Sequence, residues 1–356
     1  MNNLNDIELI RGIDRDNMGC FLTGFADQCL EAEQIGLEAK LPRRYINKEF
    51  KNVVLCGMGG SAISADLIRE YLKYEIKLPV IVNKDYRLAD FVGRDTLLIV
   101  LSYSGNTEET VSAFRAALKK KAAIVVFSSG GKLKRLSLKS RVPFIKIPAG
   151  YAPRCALGYL FFSCLVILSR CGMIKSKKKE IKKTVRLIRN VGCLMTPHVS
   201  VKDNEAKRIA EELYGRFVVI YGSTSTTEVP ALRLRSQLAE NSKSLSSVHL
   251  LPEMNHNEIV GWQHPGRLLK NFAAVFLTDE YDLKEMQKRI KISWRIIEKT
   301  GAKVIGIRSA GDSLLSRMFS LICISDWISY YLAVLNGVNP MPVKMIEYLK
   351  KEISRR

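Results

Sequence analysis

Short, almost unbroken apolar runs alternate with helix-length segments along this chain, and that alternation restricts its fold more than any other feature. The first series is "NVVLCG" (52–57), "LPVIVN" (78–83), "DTLLIVLS" (95–102), "AAIVVFSS" (122–129) and "VPFIKIP" (142–148). Between several of them lie segments such as "SAISADLIREYLK" and "TEETVSAFRAALKKK", where apolar residues recur at helical spacing. Continuous β-branched strands of this length belong in a parallel sheet covered on both faces, with helices as the crossovers. After a helical, Lys-rich stretch (156–192) the rhythm restarts with "RFVVIYGS" (216–223), "SLSSVHLL" (244–251), "NFAAVFLTD" (271–279) and "AKVIGIRS" (302–309). The chain closes on a long apolar helix candidate, 313–335, and the amphipathic "VKMIEYLKKEI" (343–353). The expected fold is α/β, with two parallel sheets flanked by helices. Residues 1–45 are predicted as N-terminal helices, 46–170 as the first domain, 171–200 as a linker helix, and 201–356 as the second domain with its C-terminal helices.

Length and composition agree with two globular domains: 356 residues, 47% hydrophobic and 26% charged. "MNNLNDIELIRGIDRD" is polar and acidic from its start, so no secretory signal is expected. The most apolar stretch, "CALGYLFFSCLVILS", is closed by Arg154 and Arg170. It falls short of the roughly 20 residues that span a bilayer, so a buried helix is expected and no membrane. The eight cysteines stand singly, without CxxC or a His cluster, which predicts reduced cysteines in a cytoplasmic protein rather than a disulfide or zinc framework. A net charge of +21 raises the question of nucleic acid. The densest basic run, "KSKKKEIKK" (175–183), has no interleaved aromatic residue and reads as the solvated face of a helix. No nucleic-acid partner is expected, and a diffuse positive field suits a small anionic substrate.

Two loops carry the chemistry. "GMGGSAISADLI" (57–68) follows the first strand and "SYSGNTEET" (102–110) follows the third, each a strand–glycine loop–helix unit. In an open parallel sheet, ligands bind beyond the carboxyl ends of the strands, where the strand order reverses. Free N–H groups and the positive end of a helix dipole favour phosphate there, and hydroxyls add neutral donors. Gly60, Ser61, Ser102, Ser104 and Thr107 are the candidate phosphate ligands. The plainer alternative makes these Ser and Thr residues helix caps. Two loops of matched design favour the cradle. A nucleotide is the weaker reading: no Walker lysine follows the glycines, and "GMGGSA" matches a dinucleotide fingerprint only in part, since the next strand ends on Asn83 with Asp85 just beyond.

"GGSA" followed by "SYSGNTEET" resembles the SIS (sugar isomerase) domain. More narrowly, the chain is similar to the bifunctional phosphoglucose/phosphomannose isomerases of archaea and some bacteria. That similarity rests on "PRCALGY" (153–159), "QLAENSKS" (237–244), "PEMNHNEIVGW" (252–262) and "GVNPMPVKMIEYLKK" (337–351), which follow in the expected order. It implies two SIS-type domains, a homodimer with shared active sites, and aldose–ketose isomerisation of glucose, mannose and fructose 6-phosphates without metal or cofactor. Such a reaction needs a base to move a proton between C1 and C2, a group to open the ring, and positive charge beside the enediolate. Read alone, Glu240 is a surface helix acid paired with Lys243 or Arg235; the resemblance makes it the base. His256 reads as a turn histidine bonded to nearby Asn side chains, or as a proton carrier at the ring oxygen, reached in the family from the neighbouring subunit. Arg154 reads as a helix-flanking charge, or by resemblance as the cation at the enediolate and a substrate ligand. Lys350 matches the family's C-terminal ring-opening lysine, with Lys344 and Lys351 as close rivals. Leu234, Arg235, Ser236 and Ala239 depart from the family pattern, as do Ala152 and Met341; they bear on substrate preference and leave each catalytic side chain in place. The rival readings are a non-catalytic SIS sugar-phosphate sensor and another SIS-domain isomerase. Sensors usually carry a helix-turn-helix, for which residues 1–45 are too short and not basic enough.

Overall fold

The expected apolar runs all become strands, trimmed by a residue or more at their ends. A computed structural model describes residues 3–46 and 48–354. The first sheet holds β1 (Asn52–Cys56), β2 (Val80–Asn83), β3 (Thr96–Leu101), β4 (Ala123–Ser128) and β5 (Phe144–Lys146), in the order β2-β1-β3-β4-β5. The second holds β6 (Phe217–Ser223), β7 (Ser246–Leu251), β8 (Phe272–Thr278) and β9 (Lys303–Arg308), in the order β7-β6-β8-β9. Every pairing is parallel, and the register sets Val54 beside both Ile81 and Leu98. β3 and β4 are buried along their whole length, which is why they read as unbroken apolar runs rather than as alternation. β9 alternates exposed and buried positions, as an edge strand should.

In each sheet the strand order reverses between the first strand and its neighbour, β1/β3 in one and β6/β8 in the other. On one face of the first sheet, Val54, Leu98, Val100 and Val126 pack with Val111 and Phe114 of helix Glu108–Lys119. In the second, Tyr221, Ala274 and Phe276 pack with Met286 and Ile290 of helix Lys284–Glu298. Helix Leu157–Arg170 is buried along nearly its whole length, as its sequence suggested. Helix Leu314–Leu335 is long and apolar enough to cross a membrane, but its apolar window is entirely buried within the protein.

The chain divides into two compact units whose limits differ from the expected ones. The first unit is Gly24–Arg189 with Asp312–Ser316; the second comprises the residues up to Thr23, Asn190–Gly311, and those from Arg317 onward. The predicted N-terminal helical segment 1–45 is therefore shared between the units. Gln28 explains one half: its amide donates to Cys155 O (2.8 Å) and accepts from Gly158 N (2.7 Å). Asp14 explains the other: its carboxylate accepts from Tyr330 Oη (3.0 Å) and from the N–H groups of Met18 and Gly19. The expected linker 171–200 holds one helix, Lys178–Leu194, most of which belongs to the first unit. There Tyr71 donates to Glu180 and Lys177 pairs with Glu75.

Candidate active site

At the carboxyl end of the first sheet, after β1, β3 and β4, three helices begin with no hydrogen bond to the side chain of the residue before them. Gly59 (φ +54°) precedes helix Gly60–Leu72, Thr107 precedes helix Glu108–Lys119, and Gly130 precedes helix Gly131–Lys139. The capping alternative for Thr107 is thereby excluded: its hydroxyl oxygen accepts weakly from Ser102 Oγ (3.4 Å) instead. First-turn N–H groups favour an anion, but those of the third helix are engaged, Lys132 N by the Asn106 side chain and Leu133 N by Gly105 O, which leaves the starts of the Gly60 and Glu108 helices. The loops are tied to one another. Tyr103 N donates to Ser61 Oγ (3.3 Å), and the Asn106 side chain accepts from Lys132 N (2.9 Å). Ser61 and Ser102 are buried, whereas Ser104 is exposed and accepts from Asn106 N. A Cβ on Gly105 (φ +67°) would stand 2.0 Å from Gly130 O, so only glycine permits this approach.

Arg154 joins the same region through the backbone. It lies in a 3₁₀ turn, Pro153–Cys155, and is 3% exposed. A Cβ on Gly60 would stand 2.8 Å from Pro153 O and 3.0 Å from Arg154 Cα, so the turn rests directly on the start of helix Gly60–Leu72. Gly60, Ser61, Ser102, Ser104, Thr107 and Arg154 are thus all brought to one end of the first sheet. Sequence reading missed two contributors here. "FSSGGKL" (127–133) repeats the strand–glycine–helix design after β4 and was legible on that ground. Tyr103 was not. Its buried phenol donates to Pro148 O and accepts from Tyr151 N (both 2.9 Å), and burial raises its pKa, keeping it a neutral donor.

Glu240, His256 and Lys350 belong to the second unit. Glu240 is the last residue of helix Glu228–Glu240, half-buried. That helix is fixed by polar groups on helix Leu314–Leu335. Arg233 makes a bidentate pair with Asp326 (2.9 and 2.7 Å), both nearly buried, and Gln237 donates to the same carboxylate (3.0 Å). Asn241 donates to Ser329 Oγ (2.9 Å) and Ser242 to Ser329 O (2.7 Å). The residues flanking the glutamate therefore have almost no freedom. Lys243, proposed above as a salt-bridge partner, donates to the carbonyls of Glu240 (2.7 Å) and Pro340 (3.1 Å). Glu240 lines a cavity of about 930 Å³ with Arg15, Lys243, Gly337 and Lys344. His256 and Lys350 are not among its lining residues, nor is Met341. Lys344, Lys350 and Lys351 are all exposed on helix Lys344–Ser354. His256 ends a 3₁₀ turn, Glu253–His256, and is exposed. Asn257 bonds Glu253 and its own neighbour Glu258, rather than His256. Among the described residues, no group of three or more His, Cys, Asp or Glu side chains is placed to hold a metal ion.

Comparison with known proteins agrees with this division. A family model described as "Bacterial phospho-glucose isomerase C-terminal SIS domain" matches residues 202–353, and one for the SIS domain matches 47–140. A bifunctional phosphoglucose/phosphomannose isomerase of Caldicellulosiruptor bescii is 41% identical over 307 residues, 86% of this chain and 91% of that protein. One from Aquifex aeolicus is 35% identical over the same shares. In fold, the chain matches the crystal structure of a glucose-6-phosphate isomerase-like protein from Thermus thermophilus, with TM-score 0.64, 20% identity and 99% of each chain covered.

Proposed function

The chain belongs to the family of bifunctional phosphoglucose/phosphomannose isomerases, and from that premise we propose how its residues divide the work. It is an enzyme built from two SIS domains that interconverts glucose 6-phosphate and mannose 6-phosphate with fructose 6-phosphate. The observation that carries the assignment of parts is the pair of uncapped helix starts at the β1/β3 reversal, Gly60–Leu72 and Glu108–Lys119. The 6-phosphate sits there, held by N–H groups of the Gly60 and Thr107 loops and by the hydroxyls of Ser61, Ser102, Ser104 and Thr107. Remote binding of this kind positions the sugar chain without touching the reacting carbons.

Glu240 takes the proton from C2 of the open aldose and returns it to C1. Both aldoses give one enediolate once the C2 proton has left, so a single base serves both. Arg154 stabilises the charge that develops on the enediolate oxygens. Ring opening falls to Lys350 and to the partner subunit's His256 within a cytoplasmic homodimer, and the chemistry needs neither metal nor cofactor. Lys344 is the second candidate for the lysine, because it shares the Glu240 cavity. A coupled assay for fructose 6-phosphate, run with glucose or mannose 6-phosphate and EDTA present, tests this directly. Turnover of both with kcat/KM values within about tenfold is expected. Loss of activity in EDTA would contradict metal-free proton transfer.

A further inference from the structure

His256 is exposed, yet the turns on either side of it are held from several directions, and one of those attachments is a buried polar chain. Trp262 Nε1 donates to Tyr221 Oη (2.7 Å), and Tyr221 Oη donates to Glu258 Oε1 (2.6 Å). The other carboxylate oxygen of Glu258 is buried, with His249 Nδ1 at 2.6 Å but off the line of a hydrogen bond. Tyr221 is fully buried on β6 and stacked on Phe276 at 4.7 Å; burial and the adjacent Glu258 carboxylate raise its phenol pKa, so it stays a donor. Trp262 is also buried, so the phenol that holds the carboxylate is itself fixed by a buried indole. Nearer the histidine, Asn255 Nδ2 donates to Ser293 Oγ (2.7 Å) and the Asn257 side chain accepts from Glu258 N (2.6 Å). Among the described residues, the side chain of His256 itself has no hydrogen bond.

We propose that Glu258, held by Tyr221 and through it by Trp262, is the positioning residue that presents His256 for ring opening. The proposal rests on the role given to His256 above. Glu258 is partly buried, and its Oε1 takes a short charge-assisted hydrogen bond from the buried Tyr221 phenol, a strong bond that restricts the side chain. Its location two residues beyond the histidine, at the start of the second 3₁₀ turn (Glu258–Gly261), lets it fix the backbone from which the imidazole extends. Catalytic groups need such support to hold a productive geometry.

The test is a double-mutant cycle on the full-length enzyme with glucose 6-phosphate. Glu258→Ala should lower kcat about 10- to 100-fold with KM changed by less than about threefold. Glu258→Gln, which still accepts from Tyr221 and offers an amide to His249, should recover most of that loss. In a His256→Ala background, Glu258→Ala should cost less than about twofold more, because the group it positions is already gone. Where Glu258→Ala lowers the melting temperature too far to assay, Tyr221→Phe keeps the ring stack, breaks the chain, and enters the same cycle. Losses that multiply in the double variant, with His256→Ala itself impaired, overturn the positioning role and leave His256 standing. Full activity of His256→Ala removes both.

Discussion

β3 and β8 occupy equivalent places, each beside its sheet's first strand where the order reverses, but the chain leaves them with opposite chemistry. After β3 come Ser102, Tyr103, Ser104, Gly105, Asn106 and Thr107, with no acid before Glu108. After β8 come Asp279, Glu280 and Asp282. Asp279 is buried and already occupied, accepting from Arg317 Nε (2.9 Å), Ser309 Oγ (3.2 Å) and Tyr281 N (3.0 Å). The loop after β6, "STSTT" (223–227), is also rich in hydroxyls, and some of them bond within the second unit. Thr227 Oγ1 accepts from Ser223 N (2.7 Å) and donates to Leu277 O (3.2 Å), while Thr226 faces Asp282. Counting hydroxyls would therefore have identified two cradles. The acids that follow β8 favour the first sheet for an anion. Glu240 and His256, by contrast, both follow strands of the second sheet, β6 and β7.

The contrast yields variants that would break it, the largest effect first. Asp326→Ala removes the partner of Arg233 inside the second unit, and should cost about 3–5 kcal/mol of stability because a buried guanidinium is left alone; chemical denaturation measures this, and a loss under about 1 kcal/mol would mean that the pair does not fix the Glu240 helix. Glu240→Gln keeps shape but cannot accept the proton, so kcat should fall roughly 10²-fold or more while fructose 6-phosphate still binds. Near-normal turnover would remove Glu240 as the base. Ser104→Ala or Thr107→Ala takes one donor from the phosphate and should raise KM by the equivalent of roughly 1–3 kcal/mol with a smaller change in kcat. Ser225→Ala, the matching change in the second sheet, should leave both constants within about twofold, since no ligand is expected there.

Much of this was legible in the sequence because burial on two faces leaves an unbroken apolar signature, clearest in β3 and β4, and the strand–helix rhythm marked the remaining strands. The glycine loops were legible too, since their spacing after a strand restricts what they can do. The supports were not. Arg233 and Asp326 lie on separate helices, and neither shows in its own segment that it is buried. The partition of residues 1–45 depends on long-range packing, which includes Gln28 to Cys155, Arg170 to Gly36 and Asp14 to Tyr330 and which no local pattern encodes. The Glu240 cavity likewise takes Gly12, Ile13 and Arg15 from a helix region with no motif to mark it. Local periodicity carries the scaffold; the second layer around the site exists only once distant segments have met.

Amide hydrogen exchange with and without saturating fructose 6-phosphate tests the contrast between the two sheets most directly. Slower exchange is expected at the amides of residues 59–61 and 104–107, where the phosphate would meet the uncapped helix starts, with residues 223–227 unchanged. Protection at 223–227 with none at 104–107 would place the phosphate on the second sheet and contradict the division of labour drawn here.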